Sequence, residues 1–271
     1  MLPARLIRAL GDSERMNLVP RIIFVLFVAC IAFGGCTRKS SGTPPPGAVD
    51  AGSEPAVATS ARFTTVRVDV RTNRLELFLR DEKGRTFNRF DHLAAWLAGR
   101  NQQLRFAMNA GMYHPDFSPV GLLVEDGREI SPLNVADGTG NFFLKPNGVF
   151  FVSASGPRIV ETTEYPALAP GVRLATQSGP LLLRNGVVNP AFDATSTSRL
   201  IRNGVGISKN TIVFVISEQP INFYEFAIFF RDELQCQDAL YLDGVVSSLY
   251  SVKLRRNDSR ADLGPIIGVV Q

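Results

Sequence analysis

Short apolar runs divide the chain from Phe63 to its C-terminus, and residues that favour turns separate them. The runs are three to seven residues long, which suits β-strands and is short for helices. We predict strands at residues 104–108, 120–125, 141–144, 149–152, 181–183, 205–207, 211–217 and 239–242. Asp126-Gly127 and Asn185-Gly186 are predicted turns between such strands.

The first part of this region also has a strand pattern. Residues 63–70 and 74–80 alternate apolar and polar side chains on either side of Arg71, Thr72 and Asn73. A period of two indicates a strand with one buried face. We therefore predict a β-hairpin at the start of the folded region.

Two segments, 92–98 and 223–234, have the spacing of helices instead. Asn222 can accept a hydrogen bond from first-turn amides, and Glu225 can complete a capping box. The second helix places five apolar side chains on one face: Phe223, Phe226, Ala227, Phe230 and Leu234. Many short strands, few helices and no strict strand–helix alternation predict a single-domain α+β fold with a mixed or antiparallel sheet core.

The N-terminus has the features of an export signal. Residues 22–33 form an uncharged apolar run behind Arg21, shorter than the roughly 20 residues of a membrane-spanning helix. Gly34, Gly35 and Cys36 follow and resemble a bacterial lipobox, whose cysteine is lipidated. We predict that residues 1–36 are a signal peptide with a lipobox cysteine. The mature protein is then exported and held by its lipid at a membrane, facing the periplasm or cell exterior.

Two alternatives remain open at this end of the chain. Phe33 stands where leucine is usual in a lipobox, so simple cleavage and secretion is the alternative to a lipid anchor. Translation from Met16 would give a shorter, more conventional signal peptide than translation from Met1.

Residues 37–62 are rich in proline, glycine and serine, and we predict a disordered linker there because such a segment buries little apolar surface. The folded domain is predicted at residues 63–271. Its single cysteine, Cys236, is predicted to be a buried core thiol, so the domain has no disulfide.

Charge and histidine content exclude some functions. The formal net charge is +4, and four arginines against two acids in the first 35 residues supply half of it. The rest is too close to neutral for a nucleic-acid partner to be predicted. His92 and His114 are the only histidines, and the acids lack calcium-loop spacing, so no metal or cofactor is predicted.

The most informative candidate for chemistry is Asp243, which follows the apolar run Ala239-Leu-Tyr-Leu and precedes Gly244. A carboxylate at a strand end is partly desolvated, and glycine allows close approach, which suits a general acid or base. The alternative is a type I′ Asp-Gly hairpin turn.

Other polar residues also lie beside predicted strands, where loops often carry sites. Asn109 and Tyr113 follow one strand, Lys145 lies between two, and Ser247 follows Asp243 in the chain. Gln177 and Ser178 precede one strand, and Arg202 precedes another. Packing, turn formation or solubility are the alternatives for each.

Five of these segments together resemble the phosphodiester glycosidase family, which includes the lysosomal uncovering enzyme. The resemblance covers residues 105–250 and lies in motifs that occur in the family's order: NAGMY, GNFFLKPNGVF, QSGPLLL, RNGVGIS and ALYLDG. It implies that a set of residues surrounds one pocket: Asn109, Gln177, Ser178, Arg202, Asp243 and Gly244. Val245 stands where relatives often have a second glycine, and we expect it to narrow or reshape the loop beside Asp243.

The implied activity is hydrolysis of a sugar from a sugar-1-phosphodiester in the cell envelope. Arg202 and Lys145 are the predicted phosphate partners, because guanidinium and ammonium groups stabilise developing phosphate charge. Asp243 is the predicted catalytic acid, with Glu218 as second acid and Glu125 behind it. Either glutamate could instead cap a helix.

Two other classes of function stay open. A non-catalytic glycan- or cell-wall-binding lipoprotein would keep the pocket without the chemistry. The other hypothesis is a structural envelope protein. It predicts that Arg202, Asp243 and Ser178 do not converge.

Overall fold

The computed structural model describes residues 54–258 and 260–271. The predicted signal peptide, Cys36 and the linker up to residue 53 lie outside these residues. No helix within them is both long and apolar enough to cross a membrane.

The strands form three sheets, and every strand pair is antiparallel. Sheet 1 has the order β1 (Ala56–Thr59), β2 (Phe63–Val68), β13 (Thr211–Ser217), β12 (Asn203–Ser208), β14 (Asp238–Asp243), β10 (Leu181–Arg184) and β11 (Val187–Val188). Sheet 2 has the order β16 (Arg256–Asn257), β15 (Leu249–Ser251), β4 (Leu104–Asn109), β17 (Ile266–Val270) and β3 (Arg74–Phe78). Sheet 3 has the order β6 (Arg128–Ser131), β5 (Leu123–Glu125), β9 (Val172–Ser178), β7 (Gly148–Ser153) and β8 (Gly156–Glu161).

Helices are few, as the sequence predicts. The α-helices are α1 (Phe90–Ala98) and α2 (Phe223–Ile228), and a π-helical turn at Phe229–Glu233 extends α2. Short 3-10 helices lie at Asn141–Phe143 and Tyr165–Ala167. The predicted α+β fold with an antiparallel core is therefore confirmed.

A central core lies where the three sheets meet, and β13 shows how the sequence builds it. Phe214 and Ile216 point into the central core beside Phe106 and Phe150 from the other sheets. Val213 and Val215 point to the opposite face, which α2 covers. Because sheet 1 is buried on both faces here, β13 is a continuous apolar run rather than an alternating one.

The predicted hairpin of residues 63–80 is wrong. β2 pairs with β13 in sheet 1, whereas β3 pairs with β17 in sheet 2. The amides of Thr72 and Asn73 donate to the Asp69 carbonyl and turn the chain between the sheets. The alternation is real, but it reflects two strands that each border the shared core.

Two boundaries also differ from the sequence-based expectation. The predicted linker reaches residue 62, yet Ala56–Thr59 already pairs with β2, through backbone bonds that need no large side chains. The segment predicted as a strand at 141–144 forms a 3-10 helix instead. Gly140 precedes this helix with a φ of 91°, a conformation that favours glycine. By contrast, the turns at Asp126-Gly127 and Asn185-Gly186 connect paired strands as predicted.

Candidate active site

Strand β14 ends at Asp243, and a loop from Gly244 to Ser248 then leads into β15. A Cβ atom on Gly244 would lie 2.0 Å from Oη of Tyr241, so a glycine is required where the loop crosses the phenol. The Val245 amide donates to Oδ1 of Asp243 at 2.8 Å. The alternative of a type I′ hairpin turn is wrong, because β14 and β15 belong to different sheets.

Asn203, at the start of β12, holds this loop against β4. Its Oδ1 accepts hydrogen bonds from the Asp243 amide at 3.2 Å, from Ser247 Oγ at 3.1 Å and from Asn109 Nδ2 at 3.3 Å. Asn109 Oδ1 in turn accepts from the Ser248 amide at 2.9 Å. These side chains are buried, where an unmade hydrogen bond costs about 1–3 kcal/mol, so the network fixes the position of Asp243.

Ser178 and Gln177 support the site from behind. Ser178 Oγ donates to the Leu242 carbonyl at 2.8 Å, next to Asp243 in the chain. Gln177 Oε1 accepts from the amides of Leu122 and Asn134 at 3.0 and 2.9 Å. Both side chains are buried, and neither lines the cleft described next. Their contacts are those of residues that hold the walls of the site.

A cleft of about 530 Å³ opens beside the Asp243 loop. Its walls come from the loop after β4, the 3-10 helix at Asn141–Phe143 and the loop after β14, and include Met112, Tyr113, His114, Asn141, Phe142, Phe143, Asp243 and Val245. Among the described residues that line it, Asp243 is the only carboxylate. No lysine or arginine belongs to this lining.

Asp243 is electrostatically suited to accept a proton. Burial raises the pKa of its carboxyl group above the usual value, while the amides of Val245, Gly244 and Val246 oppose this by favouring the charged form. A raised pKa makes the carboxylate a stronger proton acceptor. The position and the environment of Asp243 therefore both suit a general base.

Tyr113 lines the same cleft, and its hydroxyl donates to the Asp262 carbonyl at 2.6 Å. Desolvation, followed by the negative charges of Asp243 and Asp262, raises the pKa of Tyr113 to about 12. The phenol therefore stays protonated near neutral pH and acts as a neutral wall of the cleft.

Arg202 lies one layer beneath the cleft rather than in its lining. Only 1% of its surface is exposed, and its guanidinium stacks over Phe223 with the central carbon 3.9 Å from the ring centroid. Nε donates to the Ile221 carbonyl at 2.8 Å, while Nη1 is buried without a hydrogen-bond partner. Burial lowers the pKa of Arg202, and Tyr241 opposes this.

Tyr241 connects Arg202 to the Asp243 loop. Burial raises the pKa of its phenol, the charge of Arg202 lowers it, and the charge of Asp243 raises it again. The phenol is thus close enough to both charges to respond to each. Arg202 and Asp243 therefore do not line the cleft together, as the shared pocket of the sequence-based prediction would have them; they are neighbours only through the intervening ring of Tyr241 and through Asn203.

Lys145 and Glu218 lie outside the cleft lining. Lys145 is half-exposed and forms an ion pair with Asp137. Glu218 Oε1 accepts from Thr64 Oγ1 at 2.6 Å and from Arg256 Nη1 at 2.5 Å. The structure therefore does not bring Glu218 to Asp243 as a second acid, because its carboxylate is held by partners on sheets 1 and 2.

Sequence reasoning missed Asn203 and Tyr241 as parts of the site. Both lie inside motifs that were singled out, one next to Arg202 and the other two residues before Asp243. A buried asparagine or tyrosine at a strand end is a signal that could have identified them, since each needs hydrogen-bond partners.

Other parts of the molecule fit a reaction centre less well. A second cavity of about 360 Å³ lies at the opposite end of β14. Its Glu161 and Glu164 both pair with Arg184, and its Asp238 accepts from the Asn185 amide at 3.0 Å. No group of three potential metal ligands occurs in residues 54–258 or 260–271.

In the described part of the chain, three antiparallel sheets build a cleft in which Asp243 is the only carboxylate, and they define a β-rich protein with a candidate site for acid–base chemistry. The sequence model of the phosphodiester glycosidase family matches residues 102–270, and the chain belongs to this family. The predicted membership is thereby confirmed.

One curated protein is similar to the chain in sequence, and two solved structures are similar to it in fold. The uncharacterized protein YigE of Escherichia coli strain K12 is 38% identical over 184 residues, which is 68% of this chain and 72% of YigE. The zebrafish N-acetylglucosamine-1-phosphodiester alpha-N-acetylglucosaminidase catalytic domain has a similar fold, with a TM-score of 0.56 at 13% identity over 79% of this chain and 81% of that one. A hypothetical protein from Synechocystis has a TM-score of 0.50 at 14% identity, over 80% of this chain and 61% of its own.

Proposed function

We propose that the protein is a cell-envelope hydrolase that cleaves a sugar from a sugar-1-phosphodiester. The observation that carries the proposal is the single carboxylate of the cleft, in a chain that belongs to the phosphodiester glycosidase family. Ordinary glycosidases use two acids, one of which protonates the leaving group. A phosphate monoester leaves as a stable anion and needs no such proton. One carboxylate is then sufficient.

In the proposed reaction, Asp243 orients and deprotonates a water molecule. The water oxygen forms a bond to the sugar C1, and its proton passes to the Asp243 carboxylate. The bond between C1 and the phosphate oxygen breaks, and its electron pair leaves with the phosphate monoester. Glu218 takes no part, because Arg256 and Thr64 already hold its carboxylate.

Substrate binding is assigned to residues of the cleft and of the segments that border it. Lys145 is proposed to contact the phosphate, since an exposed ion pair such as Lys145–Asp137 contributes little and is readily exchanged. Arg202 is proposed to stabilise the leaving phosphate anion from beneath the cleft. Tyr113 is proposed to form one wall of the sugar pocket. Asn109, Gln177, Ser178, Gly244 and Ser247 are proposed to frame the pocket through the contacts described above.

We also propose that the protein acts in the envelope, held at a membrane by a lipid on Cys36. The support is the apolar run at residues 22–33 followed by Gly34, Gly35 and Cys36. Metabolic labelling with a fatty acid, compared between the native chain and Cys36→Ala, tests this part. Label that persists in Cys36→Ala contradicts it.

The activity is tested with the full chain and a panel of sugar-1-phosphodiesters, with products identified by mass spectrometry. We expect Asp243→Asn to lower turnover by at least about 1,000-fold, because it removes the proton acceptor. Asp238→Asn is the matched control. Asp238 lies at the other end of the same strand, and an asparagine there can still accept the hydrogen bond from the Asn185 amide.

The rival function is a non-catalytic glycan-binding lipoprotein. It is favoured by Val245, which is 84% exposed and lines the cleft next to Asp243, at the position where relatives often have a second glycine. Saccharide binding by calorimetry, with no hydrolysis of any panel member by the native chain, would establish that function and refute the proposed one.

A further inference from the structure

The cleft beside Asp243 has a few polar lining residues and is apolar over most of its wall. Asp243, Asn141 and His114 are among the polar residues of the lining. The remaining wall is built largely from apolar side chains: Met112, Val120, Phe142, Phe143, Val245 and Val246. Phe142 and Phe143 pack edge to face with their ring centroids 5.0 Å apart. A ligand that fills this cleft therefore meets two different environments.

The apolar surface continues outside the cleft. Val245 is 84% exposed, and Leu200, which is 39% exposed, would lie 3.4 Å from a Cβ placed on Gly244. Leu144 follows Phe143 in the chain and is 36% exposed. Isolated exposed apolar residues are ordinary, but a group that borders one acid-bearing cleft indicates a ligand surface.

This wall discriminates between aglycones. A second sugar or another polyhydroxylated alcohol would lose hydrogen bonds to water there and find few replacements, which costs free energy. An alkyl or isoprenoid chain would instead remove apolar surface from water.

The geometry points to a substrate whose phosphate is esterified on its second side by an apolar alcohol, with Val245 and Phe143 as specificity-determining residues. This inference rests on the proposed function, because it concerns the other ester of the same phosphodiester. In this arrangement the sugar carbon lies at Asp243, and the apolar chain contacts Phe143 and Val245.

Calorimetry of the full chain with two sugar-free diesters, dimethyl phosphate and hexyl methyl phosphate, tests the inference. The probes carry the same charge and differ only in chain length. Each buried methylene contributes about fourfold in affinity, so we expect the hexyl ester to bind at least about tenfold more tightly. Val245→Ser is expected to remove most of this preference.

Val187→Ser is the matched control, because Val187 is another exposed valine, 67% accessible, on the distant strand β11. It is expected to leave the preference unchanged. Equal binding of both esters, no binding of either, or a preference that Val245→Ser does not reduce would each overturn the inference. So would a self-associated native chain that Val245→Ser dissociates, since the patch would then bind a second copy.

Turnover separates this inference from the proposed function. Methyl and hexyl esters of one sugar-1-phosphate are compared with the native chain. Hydrolysis of both without a chain-length preference overturns the apolar aglycone and leaves the glycosidase intact. Tight binding of the hexyl diester without hydrolysis of either glycosyl ester overturns the glycosidase and leaves the apolar ligand site intact.

Discussion

Tyr241 and Gly244 form the steric contact on which the position of Asp243 depends. The Tyr241 hydroxyl occupies the space that any side chain at position 244 would need, 2.0 Å from the Cβ position. The next-nearest atoms, Cζ of Tyr241 and Cδ1 of Leu200, are 3.2 and 3.4 Å away. The conflict therefore lies almost entirely with a single oxygen atom.

A double-mutant cycle tests this contact. We expect Gly244→Ala to lower the free energy of unfolding by about 1–3 kcal/mol, because the added methyl group overpacks the site. Tyr241→Phe removes the obstructing oxygen, so the double variant is expected to recover most of the loss. Denaturant unfolding of the four proteins gives the coupling free energy, expected to be at least about 1 kcal/mol. Additive effects would show that the two residues do not meet.

Local patterns in the sequence could nominate candidate site residues, but they could not predict what those residues contact. Asp243 could be predicted because a strand end and a following glycine are local signals. Glu218 also follows an apolar strand, although no glycine comes after it, yet Arg256, 38 residues away in the chain, holds its carboxylate. Asn203 belongs to the site because it forms a hydrogen bond with Asn109, which is 94 residues away in the chain. Such long-range partners leave no trace in local patterns.

At the scale of elements, the short strand β5 ends in an acid with an unusual environment. Desolvation raises the pKa of Glu125 to about 7, while the Leu79 amide and Arg128 oppose the shift. Oε1 of Glu125 is buried without a hydrogen-bond partner. The folded state therefore retains this proton up to a higher pH than the unfolded state does. As the pH rises from about 4 to about 7, ionisation of Glu125 progressively lowers the free energy of unfolding.

Glu125→Gln tests this pH dependence. Glutamine stays neutral, so the variant is expected to be more stable than the native chain above pH 7, by on the order of 1–3 kcal/mol. Near pH 4 both side chains are neutral and the difference is expected to fall close to zero. Chemical unfolding at both pH values measures it. A difference that is constant with pH would contradict the raised pKa.

Helices could be predicted from the sequence where the residues that start and shape them are close together in the chain. Asn222 accepts from the Glu225 amide at 2.9 Å and begins α2 as predicted. The Glu225 side chain, however, pairs with Arg199 instead of completing a capping box. The helical pattern of residues 223–234 continues through a π-helical turn, in which Phe229 stacks on Phe63 at 3.7 Å. That tertiary contact lies outside the periodicity of the segment.

At the scale of the whole molecule, the fold class followed from strand length, whereas the arrangement of sheets did not. The hairpin prediction failed because apolar alternation shows that a strand has a buried face, but not which strand it pairs with. In the structure, all three sheets contribute to one core around Phe106, Phe150 and Phe214. Sheets 1 and 2 meet at Asn109 and Asn203, which places the end of β14 at the cleft.

The central claim is that this arrangement directs water to the sugar carbon rather than to phosphorus. Hydrolysis of a sugar-1-phosphodiester by the full chain in water labelled with oxygen-18, followed by mass spectrometry of both products, tests it most directly. Attack at C1 by water positioned at Asp243 places the label in the released sugar and none in the phosphate monoester. Label in the phosphate product would mean cleavage at phosphorus, and would contradict the glycosidase account of the Asp243 cleft.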